Sequence, residues 1–469
     1  MHVGKIAGAL TLALAVAAHA QQPVPRTRPD SAARADSAAG ADSARIAREM
    51  HRIRGEAQHP PPAIANDSGP TLMITRRQAI DSALAHNPTL IAALEQTEQA
   101  RARRTEAVAI PDPSLSATIV GQNGALTPNS ATEHDYALNL TVPFPDRIRL
   151  RGKVAGADVQ TSELSYLQLK QQLASQTSQT YDSLLVALRH LEDFQQAKQL
   201  AQDFLTRTQA RYEGGTSPKL DVIKAKVDVA QAQNDIISGQ RDVANAKASL
   251  NRLMGRLLGA NIAPADSLEI PPALPDLRVL EQRAAELRPE LRSLTAQRAG
   301  ASAATTLAKE FWLPDISVGV TRLNVVGTPA TYDTGIGIGF PLFFWQHTGG
   351  EVSESEHREK ELAATNRDLV AQVNQEVRVA YAGAATALQQ AQYLRDELVP
   401  EAQQAYTIAS NSYKLGGSSA LEVLDAERDF LDAQTQYTDA LGAVNDAIAQ
   451  LELAVGAPLA TAPSGVPHD

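Results

Sequence analysis

Apolar residues recur along this chain in two rhythms. From Val222 the spacing alternates three and four through Ala225, Val229, Ala232, Ile236, Gly239, Val243, Ala246 and Leu250. About 200 residues later Val423, Ala426, Phe430, Ala433, Tyr437, Ala440, Val444, Ala447 and Leu451 repeat the pattern. This is the heptad rhythm of a supercoiled helix seam. Large and small residues alternate along it, so a neighbouring backbone can approach beside the small ones. Residues 212–255 and 413–456 overlay without a gap, which marks an internal duplication. Tyr212 meets Tyr413, Gly215 meets Gly416, Leu220 meets Leu421, and Asp228 meets Asp429. An ordinary helical bundle also carries such seams. Two matched copies, each following a Gly-Gly turn, weigh against that plainer reading.

The second rhythm has period two and predicts strands at about 113–120, 135–143, 315–322 and 333–342. Tyr136, Leu138, Leu140 and Val142 share one face, with Ala137, Asn139 and Thr141 on the other. Ile316, Val318 and Val320 oppose Ser317, Gly319 and Thr321. Ile336, Ile338 and Phe340 oppose Gly335, Gly337 and Gly339. Such strands either pack as a small sheet on helices or face lipid on one side and water on the other. Phe311-Trp312 and Phe343-Phe344-Trp345 flank the second pair. They suit an aromatic girdle at a membrane interface, or anchors of a helix in a core.

Around the strands lie helical segments in the same order twice. Thr75, with Gln78 three positions on, is a capping-box start. The short helix it opens ends at Asn87-Pro88, because a residue before proline resists the α conformation. A longer helix, about 89–108, follows. The joint recurs as Arg288-Pro289. After each strand pair comes a very long helix, 148–212 and then 351–413 with an interruption at Pro400. The first would extend roughly 95 Å at 1.5 Å per residue. The expected halves are 71–262 and 279–456, joined by a Pro-rich linker at 263–278 and followed by a tail at 457–469.

Composition sharpens this picture. The chain has 469 residues, and only 4% are aromatic, which suits long helices with thin seams rather than a thick core. A net charge of −10 argues against nucleic acid as a partner, and no basic stretch argues for one. Without cysteine there is no disulfide, zinc–thiolate site or thiol catalysis. Residues 1–20 read as a secretory signal: Lys5, an apolar run over 6–18, and Ala18-His19-Ala20 as the cleavage site. The run is too short to span a bilayer. Residues 21–70 form a Pro-, Ala- and Ser-rich lead-in, expected to be disordered. No other stretch is apolar enough to cross a membrane as a helix, so a membrane protein made from this chain must cross as strands. The histidines are scattered, and no nucleophile elbow, phosphate loop or dinucleotide fingerprint occurs. No enzyme activity, cofactor or metal is expected.

The duplicated order of helix, strand pair, long helix, Gly turn and heptad helix resembles the TolC-like outer-membrane efflux proteins. The matching residues are Ala83-Leu84-Ala85-His86-Asn87-Pro88, then Arg211-Tyr212-Glu213-Gly214-Gly215-Thr216-Ser217 leading to Leu220-Asp221-Val222. In the second half they are Ser412-Tyr413-Lys414-Leu415-Gly416-Gly417 leading to Leu421-Glu422-Val423-Leu424-Asp425. The resemblance covers about 71–456. It implies a mainly α fold with four strands per chain. A homotrimer would complete a twelve-stranded barrel in the outer membrane and a coiled-coil tube reaching into the periplasm. It implies a passive exit duct, served by a periplasmic adaptor and by an inner-membrane transporter of the proton-driven resistance-nodulation-division type. By the same resemblance Gly214, Gly215, Thr216, Ser217, Gly416, Gly417, Ser418 and Ser419 are adaptor-docking tips. Glu422 and Asp425 form an acidic constriction, and Asp221 and Tyr413 close the tip. The basic partner the family places soon after Tyr413 is replaced by Ser418. The segment 143–153 looks like the basic stretch of the cation-efflux branch, so metal ions and small molecules both remain open as cargo. A periplasmic coiled-coil adaptor or structural rod is the alternative, and it leaves the two-faced strands unexplained.

Overall fold

The computed structural model describes residues 71–121, 131–271, 273–325 and 327–459. The expected signal segment, the lead-in, most of the 121–135 loop and most of the tail lie outside these residues. In chain order the elements are β1 (Leu72–Ile74), α1 (Arg76–His86), α2 (Pro88–Ala107), β2 (Ser114–Gly121), β3 (Ala131–Val142), α3 (Pro145–Glu213), α4 (Lys219–Leu253) and β4 (Ile262–Pro264). The second half continues with α5 (Leu277–Leu287), α6 (Pro289–Lys309), β5 (Asp315–Val325), β6 (Thr331–Gly339), α7 (Phe344–Tyr393), α8 (Val399–Leu415) and α9 (Ala420–Val455).

The 69-residue helix α3 is the strut of the molecule, about 100 Å long at 1.5 Å per residue. It packs against α2, α4, α6 and α9, while α9 also packs against α7 and α8. The seam of α4 follows the heptad pattern closely. Val222, Ala225, Ala232, Ile236, Gly239, Val243 and Leu250 are buried, and Val229 and Ala246 are half-buried. The seam of α9 departs from it. Val423, Phe430, Ala433, Val444 and Leu451 are buried, but Ala426, Tyr437, Ala440 and Ala447 are only half-buried. Glu427, Thr438, Leu441 and Asn445 are buried beside them. A helix covered by three neighbours buries more than one stripe. The interruption expected at Pro400 falls one turn earlier, as a π-helical turn over Leu394–Leu398. Proline lacks the N–H that would continue the ladder, and a widened turn absorbs the gap.

The duplication is visible as matched joints. Thr75 caps α1 with both hydrogen bonds of a capping box, and Asp276 caps α5 at the matching place, accepting from the Arg278 N–H at 2.8 Å. Asn87 caps α2 by accepting from the Thr89 N–H at 2.9 Å, and its side-chain amide donates to the Leu253 carbonyl at 2.9 Å. Arg288, its counterpart, donates to the Leu453 and Ala454 carbonyls, each at 3.2 Å, and pairs with Glu376 at 2.6 Å. Both side chains thus satisfy carbonyls that the last turn of a helix leaves without partners. The glycines just beyond those helices, Gly255 and Gly456, have φ of 65° and 79°. A Cβ on Gly255 would lie 2.5 Å from the His86 carbonyl oxygen.

One tie went unforeseen. β1 pairs in parallel with β4, joining the start of the described chain to the linker. Arg76 reinforces it. Its backbone N–H donates to Asp266 at 2.6 Å, and its guanidinium holds Asp182 of α3 and, at 3.1 Å, Asn445 of α9.

The remaining strands form one antiparallel sheet in the order β2-β3-β5-β6. Its register aligns Leu115, Leu138 and Val320 in one row, Leu140, Val318 and Ile336 in the next, and Val142, Ile316 and Ile338 in a third. Partners across an antiparallel ladder share a face, so these residues build one continuous apolar surface. That surface is not packed under helices: Leu115 is 76%, Ile336 79% and Ile338 64% exposed. The opposite face carries Ser116, Ala137, Asn139, Ser317, Gly319, Gly335 and Gly337.

Two glycines with similar backbones separate strain from crowding. Gly215 also has positive φ, yet nothing lies within 4 Å of a Cβ added there. Gly215→Ala is expected to cost about 1 kcal/mol. Gly255→Ala adds a collision with the His86 backbone and should lower the melting temperature several times further, as followed by circular dichroism in detergent.

Candidate functional sites: the exposed sheet and the helix tips

The sheet has the geometry of a wall between lipid and water. Along β6 and the residue after it the apolar face runs from Tyr332 to Phe340, eight steps along the strand, or about 26 Å at 3.3 Å per residue. That length suits the apolar band of a transmembrane barrel, about 25 Å tall. Tyr136 and Tyr332 stand at one end, 48% and 69% exposed, in a row with Arg322. Trp312, Phe340, Phe343 and Trp345 are exposed at the other end, with the Phe343 and Trp345 rings edge to face at 5.5 Å. Aromatic residues therefore bracket the band at both ends. β2 and β6 each pair on one side only. No described helix is long and apolar enough to cross a membrane.

At the far end of the long helices lie two tips. In the first, the Gly214 N–H donates to Ala210, Gly215 to Tyr212, and Thr216 to Arg211, closing α3. Ser217 does not cap α4; its hydroxyl donates to Asp221 Oδ2 at 2.8 Å, and Pro218 stands at the cap position. In the second tip Gly416 takes the left-handed conformation at φ 84°, and the Gly417 N–H donates to the Ser412 carbonyl at 2.9 Å. Ser418 is half-buried beside it. Ser419 caps α9 and forms a capping box with Glu422, whose carboxylate accepts from the Ser419 N–H at 2.9 Å. Glu422 and Asp425 are both exposed, one turn apart on α9.

Asp221 and Tyr413 do not pair within the chain. Asp221 is engaged by Ser217, whereas Tyr413 is buried among Phe204, Ala225, Ala420 and Val423. The Tyr413 hydroxyl lies 3.4 Å from Thr208 Oγ1. Arg211, which the sequence reading passed over, stacks its guanidinium 4.3 Å from the centre of the Tyr413 ring and donates to the Tyr413 carbonyl. The two halves of the duplication are therefore tied at the tip by a cation–π contact and a charge-assisted hydrogen bond. Arg211 stands next to the matched Tyr212, but nothing in the local pattern shows that its partner lies in the other half.

A second missed residue is Glu427. It is 3% exposed, and neither carboxylate oxygen has a hydrogen-bond partner. Burial, then the nearby Asp228 carboxylate, push it up to about 8, against a smaller opposing pull from Arg207. Asp228 is itself raised, chiefly by burial. Spacing held a clue: Glu427 is four residues after Val423 and three before Phe430, an interior position on a helix.

An exposed apolar sheet with two unpaired edges, carried on long paired helices that end in glycine turns, defines a β-barrel channel component with a helical extension. The profile of the outer membrane efflux protein family matches residues 79–256 and 280–457. The chain belongs to that family and is an outer-membrane protein reaching into the periplasm. Several solved structures share its fold. The outer-membrane channel OprN superposes with a TM-score of 0.71 at 19% identity, over 82% of this chain and 90% of that one. CusC gives 0.70 at 20% identity, over 84% and 96%. The open state of the Neisseria gonorrhoeae MtrE channel gives 0.65 at 19% identity, over 85% and 97%. No curated protein sequence matches.

Removing the Arg211 contact tests the tip. Arg211→Ala should loosen α8–α9 from α3 by about 1–2 kcal/mol. The expected result is faster hydrogen exchange of amides at 405–415, with the strands unaffected.

Proposed function

We propose that this protein is the outer-membrane exit duct of a tripartite efflux pump, working as a homotrimer. The observation that carries the reading is the four-stranded sheet with an exposed apolar face and unpaired edges at β2 and β6. Open edges are not tolerated in hydrocarbon, because each unpaired N–H and C=O costs several kcal/mol there. Copies of the chain joined edge to edge satisfy them, and three copies close a twelve-stranded barrel. Its lumen would be lined by the serine, asparagine and glycine face.

The helices support the same assembly. α4 carries a second heptad stripe, Leu220, Ile223, Val227, Ala230, Asn234 and Ile237, exposed along its length. α8 exposes Ile408 and Leu415, the latter at 91%. Neighbouring copies of the chain can cover these stripes and extend the barrel as a tube into the periplasm. Glu422 and Asp425 would then be repeated around the axis as acidic rings. Two carboxylates ~6 Å apart repel by about 0.7 kcal/mol in water, and more in a narrow passage. Such rings attract cations and oppose anions. The tips Gly214–Ser217 and Gly416–Ser419 would receive a periplasmic adaptor. An inner-membrane transporter of the proton-driven resistance-nodulation-division type would supply the energy, the duct itself being passive. Metal cations and small molecules are both candidate cargo. The rod alternative would expose Leu115, Leu138, Ile336 and Ile338 to water, a cost with no return.

Two outcomes follow. Leu138→Arg places a charge on the lipid face at about 2–4 kcal/mol and should reduce outer-membrane insertion, read by heat-modifiable oligomer on gels; unchanged insertion would remove the barrel. Glu422→Ala with Asp425→Ala should lower cation preference in planar bilayers. A reversal potential equal to that of the unaltered protein would remove the acidic-ring role. The same double change also removes the Glu422 half of the α9 capping box, while the Ser419 hydroxyl still caps the helix.

A further inference from the structure

Glu427 is buried where four helices meet, one turn beyond the tip cluster of Phe204, Ala225, Tyr413, Ala420 and Val423. The groups facing it come from each neighbour. α3 supplies Arg207 and, near Tyr406, Asp203; α4 supplies Asp228; α8 supplies Tyr406. Arg428, next along α9, acts on Asp228. The cation acting on it, Arg207, also donates to Ser410 Oγ at 3.1 Å and gives Glu427 no hydrogen bond. Above Glu427 the Tyr406 and Phe430 rings stack at 6.0 Å with an interplanar angle of 7°. A carboxylate in this position would be a buried anion with no hydrogen bond, next to a second acid, which is strongly unfavourable. A neutral carboxylic acid is not.

We propose that Glu427 is a proton-held latch: protonated, it lets α9 and α8 stay packed on α3 and α4, and on losing its proton it drives the α8–α9 tip away from them. The proposal rests on the reading of these tips as the gate of a duct. It differs from the acidic rings at Glu422 and Asp425, which are exposed and act on passing ions, whereas Glu427 acts on helix packing.

The direction with pH follows from linkage. The packed arrangement raises the affinity of this carboxyl for its proton, to about 8 against an ordinary 4.5. Packing is therefore fully supported below about 4.5 and is progressively lost as pH rises from there to about 8. Alkaline conditions should open the tip and acidic ones shut it.

The test uses the full-length protein in planar bilayers and, in parallel, hydrogen exchange of amides at 405–430, corrected for the intrinsic rate. Between pH 5.5 and 8.5 exchange at these amides should rise on the order of tenfold or more, with conductance rising alongside. Glu427→Gln keeps the shape without the charge. Its exchange and conductance should stay near the acidic values across the range. Asp228→Asn removes the neighbouring charge, lowers the proton affinity of Glu427 in the packed arrangement, and should shrink the rise in exchange with pH. Equal pH profiles for the Glu427→Gln and unaltered proteins would overturn the latch. Failure of the unaltered protein to conduct at any pH would instead overturn the duct, while the exchange data would still decide the latch.

Discussion

A polypeptide backbone in hydrocarbon has no water to bond with, so every N–H and C=O must find a partner within protein. This constraint governs the sheet. Four antiparallel strands satisfy each other internally and leave β2 and β6 with one bare edge each. Their apolar rows, Leu115–Leu138–Val320 and Val142–Ile316–Ile338, face outward without cover. One chain is thus an incomplete object, and the family's outer-membrane location explains why. The same incompleteness extends to the helices, where α4 shows one heptad stripe to α3 and a second to the surroundings.

The duplication solves a mechanical problem of such a chain. The heptad helices, 35 and 36 residues long, have ends that must be fixed, and each half fixes its own at the matching joint. A capped short helix stops at an X–Pro joint, and the residue before proline reaches the final carbonyls of the heptad helix. Asn87 does this with an amide and Arg288 with a guanidinium. The chemistry differs while the geometry is kept, since either donor satisfies a helix C-terminus. The Arg76–Asp182–Asn445 cluster and the β1–β4 pair then bind the two halves together, away from both the sheet and the tips.

At the tips the balance is different. Polar and charged residues lie inside the packing there: Thr208 against Tyr413, Arg207 against Ser410, and Glu427 beside Asp228 with no hydrogen bond of its own. These polar groups sit beside the apolar cluster of Phe204, Ala225, Tyr413, Ala420 and Val423, where a low dielectric strengthens every electrostatic interaction. The absence of a basic residue at Ser418 fits this picture, because Arg211 holds Tyr413 from within the same chain instead.

Much of this was legible in the one-dimensional pattern, for a physical reason: helices and strands each impose a period, and an amphipathic face must obey it. The period-two rows predicted the strands and their two faces. The heptad rows predicted the buried side of α4 position by position, and the repeat of Asn87-Pro88 as Arg288-Pro289 marked the joints. What the pattern could not carry were partners far apart in the chain. α9 buries Glu427, Thr438 and Asn445 beside its expected seam because three helices surround it. Arg211 meets Tyr413, Asp221 stays with Ser217, and three-residue β1 finds β4 only once α3 has brought them together. The period of a segment is set by its own backbone, so it can be read from residues alone. The choice of neighbour depends on how long elements cross in space, and that was decided only when the chain folded.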